Sequence, residues 1–424
     1  MNGTWHPHLW HPTTQVSRSP APLRVLSGHG ARLQLDDGRQ LLDAISSWWV
    51  TLHGHGEPSI AAAIARQAQA LEQVIFANFS HEPAEQLADR LSQLTGLERL
   101  FFSDNGSTAV EVALKMAWQW WHNRGEQRHQ LIAFEGAYHG DTVGAMAVGA
   151  RSLFTAAYEP LLFEVARVGW PQHSWDDPDP MEREEEALAA LEQALATPTA
   201  AVILEPLIQG ASGMAMVRPQ FLQAVQQRVR QAGALLIADE VMTGFGRTGS
   251  LFASQRAAIQ PDLMALSKGL TGGFLPMGVT MASERLYRGF ISDNPEATFF
   301  HGHSFTANPV GCAAALASLD LLEAAPERYR GFEARHRPWL QQLHQHRRVR
   351  RPRCLGTVAA FDVHVEQPGY LNTVGLQIQR HCLDAGVYLR PLGHVVYLLP
   401  PLCFNDNDLE QCYAAILAAL EALD

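Results

Sequence analysis

Between residues 97 and 283 one pattern keeps returning: a short apolar run, a polar or glycine-rich turn, then a longer stretch with apolar positions at helical spacing. The apolar runs are LERLFFS (97–103), QLIAFEG (130–136), AAVILEP (200–206), ALLIADE (234–240), LMALSKG (263–269) and MGVTMAS (277–283). Several are apolar on both faces, as strands covered from both sides are. Their alternation with helices predicts an α/β fold built on a mostly parallel sheet. Segments such as TAVEVALKMAWQWW and PQFLQAVQQRVRQAG supply the helices, the second closing on the glycine that commonly ends one. WDDPDPMEREEEALAALEQALATP begins acidic and proline-rich, continues as a helix, and reads as a solvated excursion from the sheet.

The flanks follow another rhythm. Residues 18–50 alternate short β-like runs. Residues 311–424 run helix, strand (355–363), helix, further strands (387–391 and 395–400) and a final Ala/Leu helix. The two ends together suit one smaller α+β domain (1–54 with 311–424) beside a large domain at 55–310. The Arg/His-rich HQHRRVRRPR (344–353) reads as a solvated connection into the strand at 355–363.

Composition narrows the classes. The 424 residues carry 32 Lys plus Arg against 43 Asp plus Glu, a net charge of -11, which disfavours polyanions and argues against a nucleic-acid partner. The five cysteines are odd in number, scattered and without a CxxC pair, which fits a reducing, cytoplasmic setting. The N-terminus has neither a basic start nor an apolar core of a leader. No apolar run reaches the roughly 18 residues of a membrane span, so a soluble protein with no membrane partner is expected. The histidine groups His6/His8/His11, His53/His55 and His301/His303 lack carboxylates or cysteines at zinc-like spacing, so no metal is expected. GFGRTG (244–249) has the glycine spacing of a dinucleotide loop, but no long helix follows it.

Only two residues, Lys115 and Lys268, are lysines; every other Lys/Arg cation is Arg. Arg stays protonated and forms no imine, so amine chemistry has two candidates. Lys115 follows Glu111 by four residues on a helix, the favourable order for an exposed ion pair, and is read as that. Lys268 closes the apolar run LMALSK before GLTGG, where desolvation would lower its pKa as imine chemistry requires; a phosphate contact is the competing reading. Asp239 ends ALLIAD, and a carboxylate buried there needs a cation such as a protonated pyridine nitrogen. In DNGSTAVEVALK, Gly106 and Ser107 fall at a helix start, where free N–H groups attract phosphate, although Ser107 is as natural an N-cap. Tyr138 could lie flat on a ring or simply pack. In a doubly wound sheet ligands bind outside the carboxyl ends of the strands, which is where these residues lie. An imine-forming lysine, an acid for a pyridinium, a phosphate cradle and an aromatic platform together describe a pyridoxal 5'-phosphate site.

The segments FFSDNGSTAVEVALKMA, GAYHGDTVGAMAVG, ILEPLIQGASGM, LLIADEVMTGFGRTGSLFA, PDLMALSKGLTGGFLPMG and HGHSFTANPVGCA resemble the class III, fold-type I aminotransferases. The early LWHP (9–12), SSWW (46–49) and RPLGHVVYLLPP (390–401) are similar to the branch that moves an amino group from S-adenosylmethionine to 8-amino-7-oxononanoate, giving 7,8-diaminononanoate in biotin biosynthesis. The resemblance implies a ping-pong transaminase in which Lys268 carries the cofactor, Asp239 pairs its ring nitrogen, Tyr138 stacks on it, and Gly106 with Ser107 binds its phosphate. It implies that Trp48 and Arg390 shape the substrate pocket, with Arg390 facing a carboxylate. It also implies a homodimer in which Gly302, His303 and Ser304 cross to the neighbour's cofactor, and it matches Arg247 and Tyr397 to substrate-side positions. Two departures stand out: Thr13 replaces a frequent Tyr after LWHP, and His303 replaces a Pro of some members. The alternative within the superfamily is an omega-amino acid aminotransferase or a glutamate-semialdehyde aminomutase, against which SSWW and the Arg390 segment argue.

Overall fold

The computed structural model describes residues 5–177 and 179–423, so the first four residues of the expected small domain, Pro178 and Asp424 lie outside the description. Near the N-terminus β1 (Val25–His29), β2 (Arg32–Leu35) and β3 (Gln40–Asp43) form an antiparallel meander. The next strands are β4 (Arg99–Ser103), β5 (Gln130–Phe134), β6 (Ala166–Val168), β7 (Thr199–Leu204), and the short pair β8 (Ile208–Gln209) and β9 (Ala215–Met216). Then come β10 (Leu235–Asp239), β11 (Leu263–Leu266) and β12 (Gly278–Ala282). Towards the C-terminus lie β13 (Val349–Leu355), β14 (Val358–Val363), β15 (Val387–Tyr388) and β16 (Val395–Leu398).

The central sheet has seven strands in the order β4-β12-β11-β10-β7-β5-β6. Only β12 runs against its neighbours, so the carboxyl ends of the other strands share one edge. Strands β7, β10 and β11 are buried at every residue, which is why their sequences show no alternation. Helix Gly106–Asn123 covers one face with Val110, Ala113 and Ala117, and helix Pro219–Gln231 the other with Phe221, Leu222 and Val225. The first strands and the C-terminal part of the chain meet in one four-stranded sheet, because β15 pairs in parallel with β3.

The structure departs from the sequence pattern in three places. β6, three residues long, is too short to register as a period. The Arg/His-rich run is not a loose connection, since Val349–Leu355 is a strand that turns at Gly356 and pairs with β14. Its Arg353 is buried and held by Asp362 at 2.9 Å and by the Met214 carbonyl, and that pairing removes the penalty that made the run look solvated. Helix Met181–Leu195 is likewise not a free excursion. Ala187 and Leu191 are buried, and Glu184, also buried, pairs with Arg218 at 2.6 Å.

Candidate active site

Because β4, β5, β7, β10 and β11 end on one edge, the polar residues closing those runs face a common space. A cavity of about 620 Å³ is lined there by Gly106 and Ser107 after β4, Tyr138 and His139 after β5, Glu205 after β7, Asp239 of β10 and Lys268 after β11. Trp49 and Val50, from the segment after β3, also line it. All five strand ends singled out in the sequence therefore reach one site.

At the β4 end, Asn105 is the N-cap of helix Gly106–Asn123: its Oδ1 accepts from the Thr108 N–H at 3.0 Å while the Thr108 hydroxyl accepts from the Asn105 N–H at 3.1 Å. The N-cap reading of Ser107 is thus corrected. Gly106 and Ser107 occupy the first turn, whose N–H groups have no intrahelical acceptor. The Ser107 hydroxyl accepts from the Asp141 N–H at 3.2 Å. A Cβ on Gly106 would stand 2.6 Å from Val241, and one on Gly140, whose φ is +132°, would collide with Ser107 Oγ. Only glycine leaves this helix start bare toward the cavity.

At the β10 end Asp239 is buried, and an ionised carboxylate only accepts, so His139 Nδ1–H donates to its Oδ2 at 2.7 Å. Asp239 Oδ1 accepts from the Val241 N–H at 3.0 Å, and His139 Nε2, also buried, has no hydrogen-bond partner among the described residues. Glu205 accepts from the Tyr138 and Gly210 N–H groups, each at 3.0 Å, and burial above all pushes its carboxyl up to about 7. Burial, then the Asp141 carboxylate, raises the Tyr138 phenol, which therefore stays neutral. Glu240 turns away and receives the Ala253 and Ser254 N–H groups at a helix start.

Lys268 follows β11 at a left-handed φ of +46°, a strained backbone for a residue with a side chain, and its Nζ lies 5.2 Å from the centre of the Trp49 ring. Burial chiefly, and Arg247 to a lesser extent, hold its amine below the ordinary lysine range, against the pull of Asp239 and Glu205. Lys115 has no such setting, yet its predicted ion pair with Glu111 is not formed. Glu111 instead accepts from Thr142 Oγ1 at 2.6 Å and from the Gly144 N–H at 2.8 Å, while Lys115 Nζ donates to His301 Nδ1 at 3.0 Å. A helix start with unpaired N–H groups outcompetes a solvated lysine for the carboxylate.

Residues 13–420 match the family described as aminotransferase class-III. The chain belongs to the class III aminotransferases. It is 58% identical over 421 residues, 99% of each chain, to the adenosylmethionine-8-amino-7-oxononanoate aminotransferase of Synechococcus elongatus. It is 38% identical to the enzyme of that name from Geobacter sulfurreducens, over 95% of this chain and 93% of that one. Its fold matches the crystal structure of adenosylmethionine-8-amino-7-oxononanoate aminotransferase from Methanocaldococcus jannaschii with a TM-score of 0.91 at 32% identity, covering 98% and 97% of the two chains. It also matches an amine transaminase from an uncultivated Pseudomonas species in its PLP-bound form, with a TM-score of 0.93 at 29% identity over 100% of both.

This aminotransferase uses pyridoxal 5'-phosphate, and the residues present fit it. The bare helix start suits a dianionic phosphate, Asp239 keeps lone pairs for a ring N–H beyond those used by His139 and Val241, and Lys268 offers an amine whose charge is disfavoured.

Other sequence-derived candidates of this aminotransferase lie away from the cavity wall. Trp48 is 45% exposed, and Arg390 rests over its ring at 4.9 Å while donating to the Thr13 hydroxyl at 3.0 Å, so these three form one outer cluster. Arg247 and Tyr397 are fully buried behind the wall: Arg247 donates to the Pro400 carbonyl at 2.7 Å, and the Tyr397 hydroxyl accepts from Trp49 Nε1 at 2.9 Å. Gly302, His303 and Ser304 lie on a loop that does not line this chain's own cavity, with the Ser304 carbonyl taken by Gln73. Sequence reasoning missed Trp49 and assigned no role to His139. In SSWW the φ values of Ser46, Ser47 and Trp49 are +53°, +61° and +67°, so no regular period shows which tryptophan turns inward. The signal for His139 was its neighbour Tyr138 at an already suspect strand end.

Proposed function

We propose that this enzyme transfers an amino group from S-adenosylmethionine to 8-amino-7-oxononanoate, giving 7,8-diaminononanoate for biotin biosynthesis, in two alternating half-reactions. The observation that carries this reading is the end-to-end 58% identity with a relative of that name, on a cavity whose amine, acid and phosphate cradle suit the chemistry. When bound, pyridoxal phosphate supplies an electron-withdrawing ring that makes the amine-bearing carbon acidic. Gly106 and Ser107 bind the phosphate, Tyr138 packs on the ring, and Asp239 keeps a proton on the ring nitrogen. His139 fixes the Asp239 oxygen that it donates to. Lys268 Nζ, whose charged form burial disfavours, takes up the proton released at the donor's amine-bearing carbon and gives it up again within the same half-reaction; in the second half-reaction it delivers a proton to the acceptor carbon. Trp49 excludes water beside that amine. Arg390, which Thr13 holds without neutralising, receives the carboxylate of the oxo acid over Trp48.

The same reading includes a homodimer in the cytoplasm, with Gly302, His303 and Ser304 completing the neighbour's site and Arg247 and Tyr397 reaching the substrate side only through Trp49, which both hold. It also divides the chain into a large domain at 55–310 and a small one from 1–54 and 311–424. Among the described residues no helix is long and apolar enough to cross a membrane. The test is a single half-reaction: S-adenosylmethionine alone, added to the pure holoenzyme, bleaches the visible absorbance of the lysine-bound pyridoxal form. No bleaching, with ornithine or another omega-amine producing it instead, would replace this reading by that of an omega-amino acid aminotransferase.

A further inference from the structure

GFGRTG, whose spacing imitates a nucleotide loop, finds another use in the structure. A Cβ on Gly244 would stand 2.8 Å from the Glu240 carbonyl, and one on Gly246, at φ +90°, 2.8 Å from Tyr329. From the C-terminal part of the chain, Gly356 packs so closely that its Cβ would strike the backbone of Arg247, Thr248 and Gly249. The glycines let backbone lie on backbone, not on a phosphate. They deliver Arg247, a fully buried guanidinium, to the back of the active-site wall.

No carboxylate pairs with Arg247 among the described residues. Its Nη1 donates to the Pro400 carbonyl at 2.7 Å and its Nη2 to the Trp49 carbonyl at 3.4 Å, while Nε has no partner among the described residues. Its own carbonyl is held by the Thr357 N–H at 2.9 Å and the Thr357 hydroxyl at 3.1 Å. The buried Asp43 carboxylate favours the cation from a distance, but a buried cation without a contacting acid is costly, and a structural clamp alone could use neutral donors. We propose that Arg247 is a positioning residue for Lys268: it anchors Trp49 against the amine and supplies the positive field behind it. This rests on the reading of Lys268 as the working amine.

Three charged groups bear on that amine besides burial: Asp239 and Glu205 favour its charged form, and Arg247 opposes it. Burial pulls the guanidinium itself down only to about 9, so it remains a cation at neutral pH.

The experiment exploits the two lysines. In the full-length protein, stripped of cofactor by dialysis against an amino donor, acetic anhydride labelling is followed against pH by peptide mass spectrometry, with Lys115 as internal standard. Wild-type Lys268 is expected to titrate below Lys115. In Arg247→Met and Arg247→Gln its midpoint is expected to rise, because a positive charge that opposes protonation of the amine is removed. Arg247→Lys keeps the charge and loses the fork, so its midpoint stays near wild type while kcat falls and KM changes little. A folded Gln or Met variant with the wild-type midpoint overturns the proposal. So does failure of both neutral variants to fold while the Lys variant folds, which would assign the charge to the fold. Because no turnover is measured in the labelling, a wrong substrate assignment leaves the result unaffected.

Discussion

Lowering the pH from about 7 to about 5 should cost this protein stability through His336. The residue lies on helix Phe332–His344 and is fully buried; its Nε2–H donates to the Thr357 carbonyl at 3.2 Å, so its Nδ1 accepts from the Tyr413 hydroxyl at 2.7 Å. Both nitrogens are thus used by the neutral ring. Burial drives its pKa from 6.5 down to about 3. Between those values the unfolded chain binds a proton that the folded chain refuses, so stability is lost as pH falls through 6.5 and continues to fall to about 3. Each pH unit below the unfolded value is worth about 1.4 kcal/mol, so the drop to about pH 5 costs about 2 kcal/mol from this one ring. Urea denaturation of wild type and His336→Gln at both pH values reads it. The variant starts lower, having lost part of a buried hydrogen-bond pair, but its stability should fall by about 2 kcal/mol less on acidification. Equal losses in the two proteins would refute the argument, since carboxylates and His53 titrate alike in both. His53, buried against Ser318 and held down to about 4, should show a similar difference in His53→Gln.

Lys268→Ala should abolish both turnover and the imine that borohydride can reduce, whereas Lys115→Ala, which loses an exposed contact to His301, should keep activity within a few-fold of wild type; a reducible imine in Lys268→Ala would disprove the assignment. Asp239→Asn keeps the shape and loses the charge facing the ring nitrogen, so kcat is expected to fall by ~10²-fold or more, as when one electrostatic stabiliser is removed, and near-normal rates would count against its role. Gly140→Ala forces a methyl group onto Ser107 Oγ at a φ of +132°, so cofactor should dissociate more readily in equilibrium dialysis, with the melting temperature of the holoenzyme lowered.

The apolar runs, their order and the polar residues that end them were legible because a strand buried on both faces must be apolar throughout, and a charge at its end needs a function or a partner. Lys268 and Asp239 stood out on those grounds, Gly106 and Ser107 as a helix start with an N-cap reading still open for Ser107, and the structure gathers all four in one cavity. What tertiary structure decided were the pairings between residues far apart in the chain. Glu111 left Lys115 for a helix start, Arg353 became a buried strand residue because Asp362 faces it, and Trp49, not Trp48, turned toward Lys268 through a run of left-handed backbone. Arg247 shows the difference most plainly. Its surroundings have the glycine spacing of a nucleotide loop, a reading already disfavoured because no long helix follows, but only the structure shows that the spacing lets Gly356 and Tyr329, from far along the chain, pack against this segment. Local sequence sets which backbone shapes are open to a segment, and the charge of a buried side chain is settled by whatever the fold packs against it.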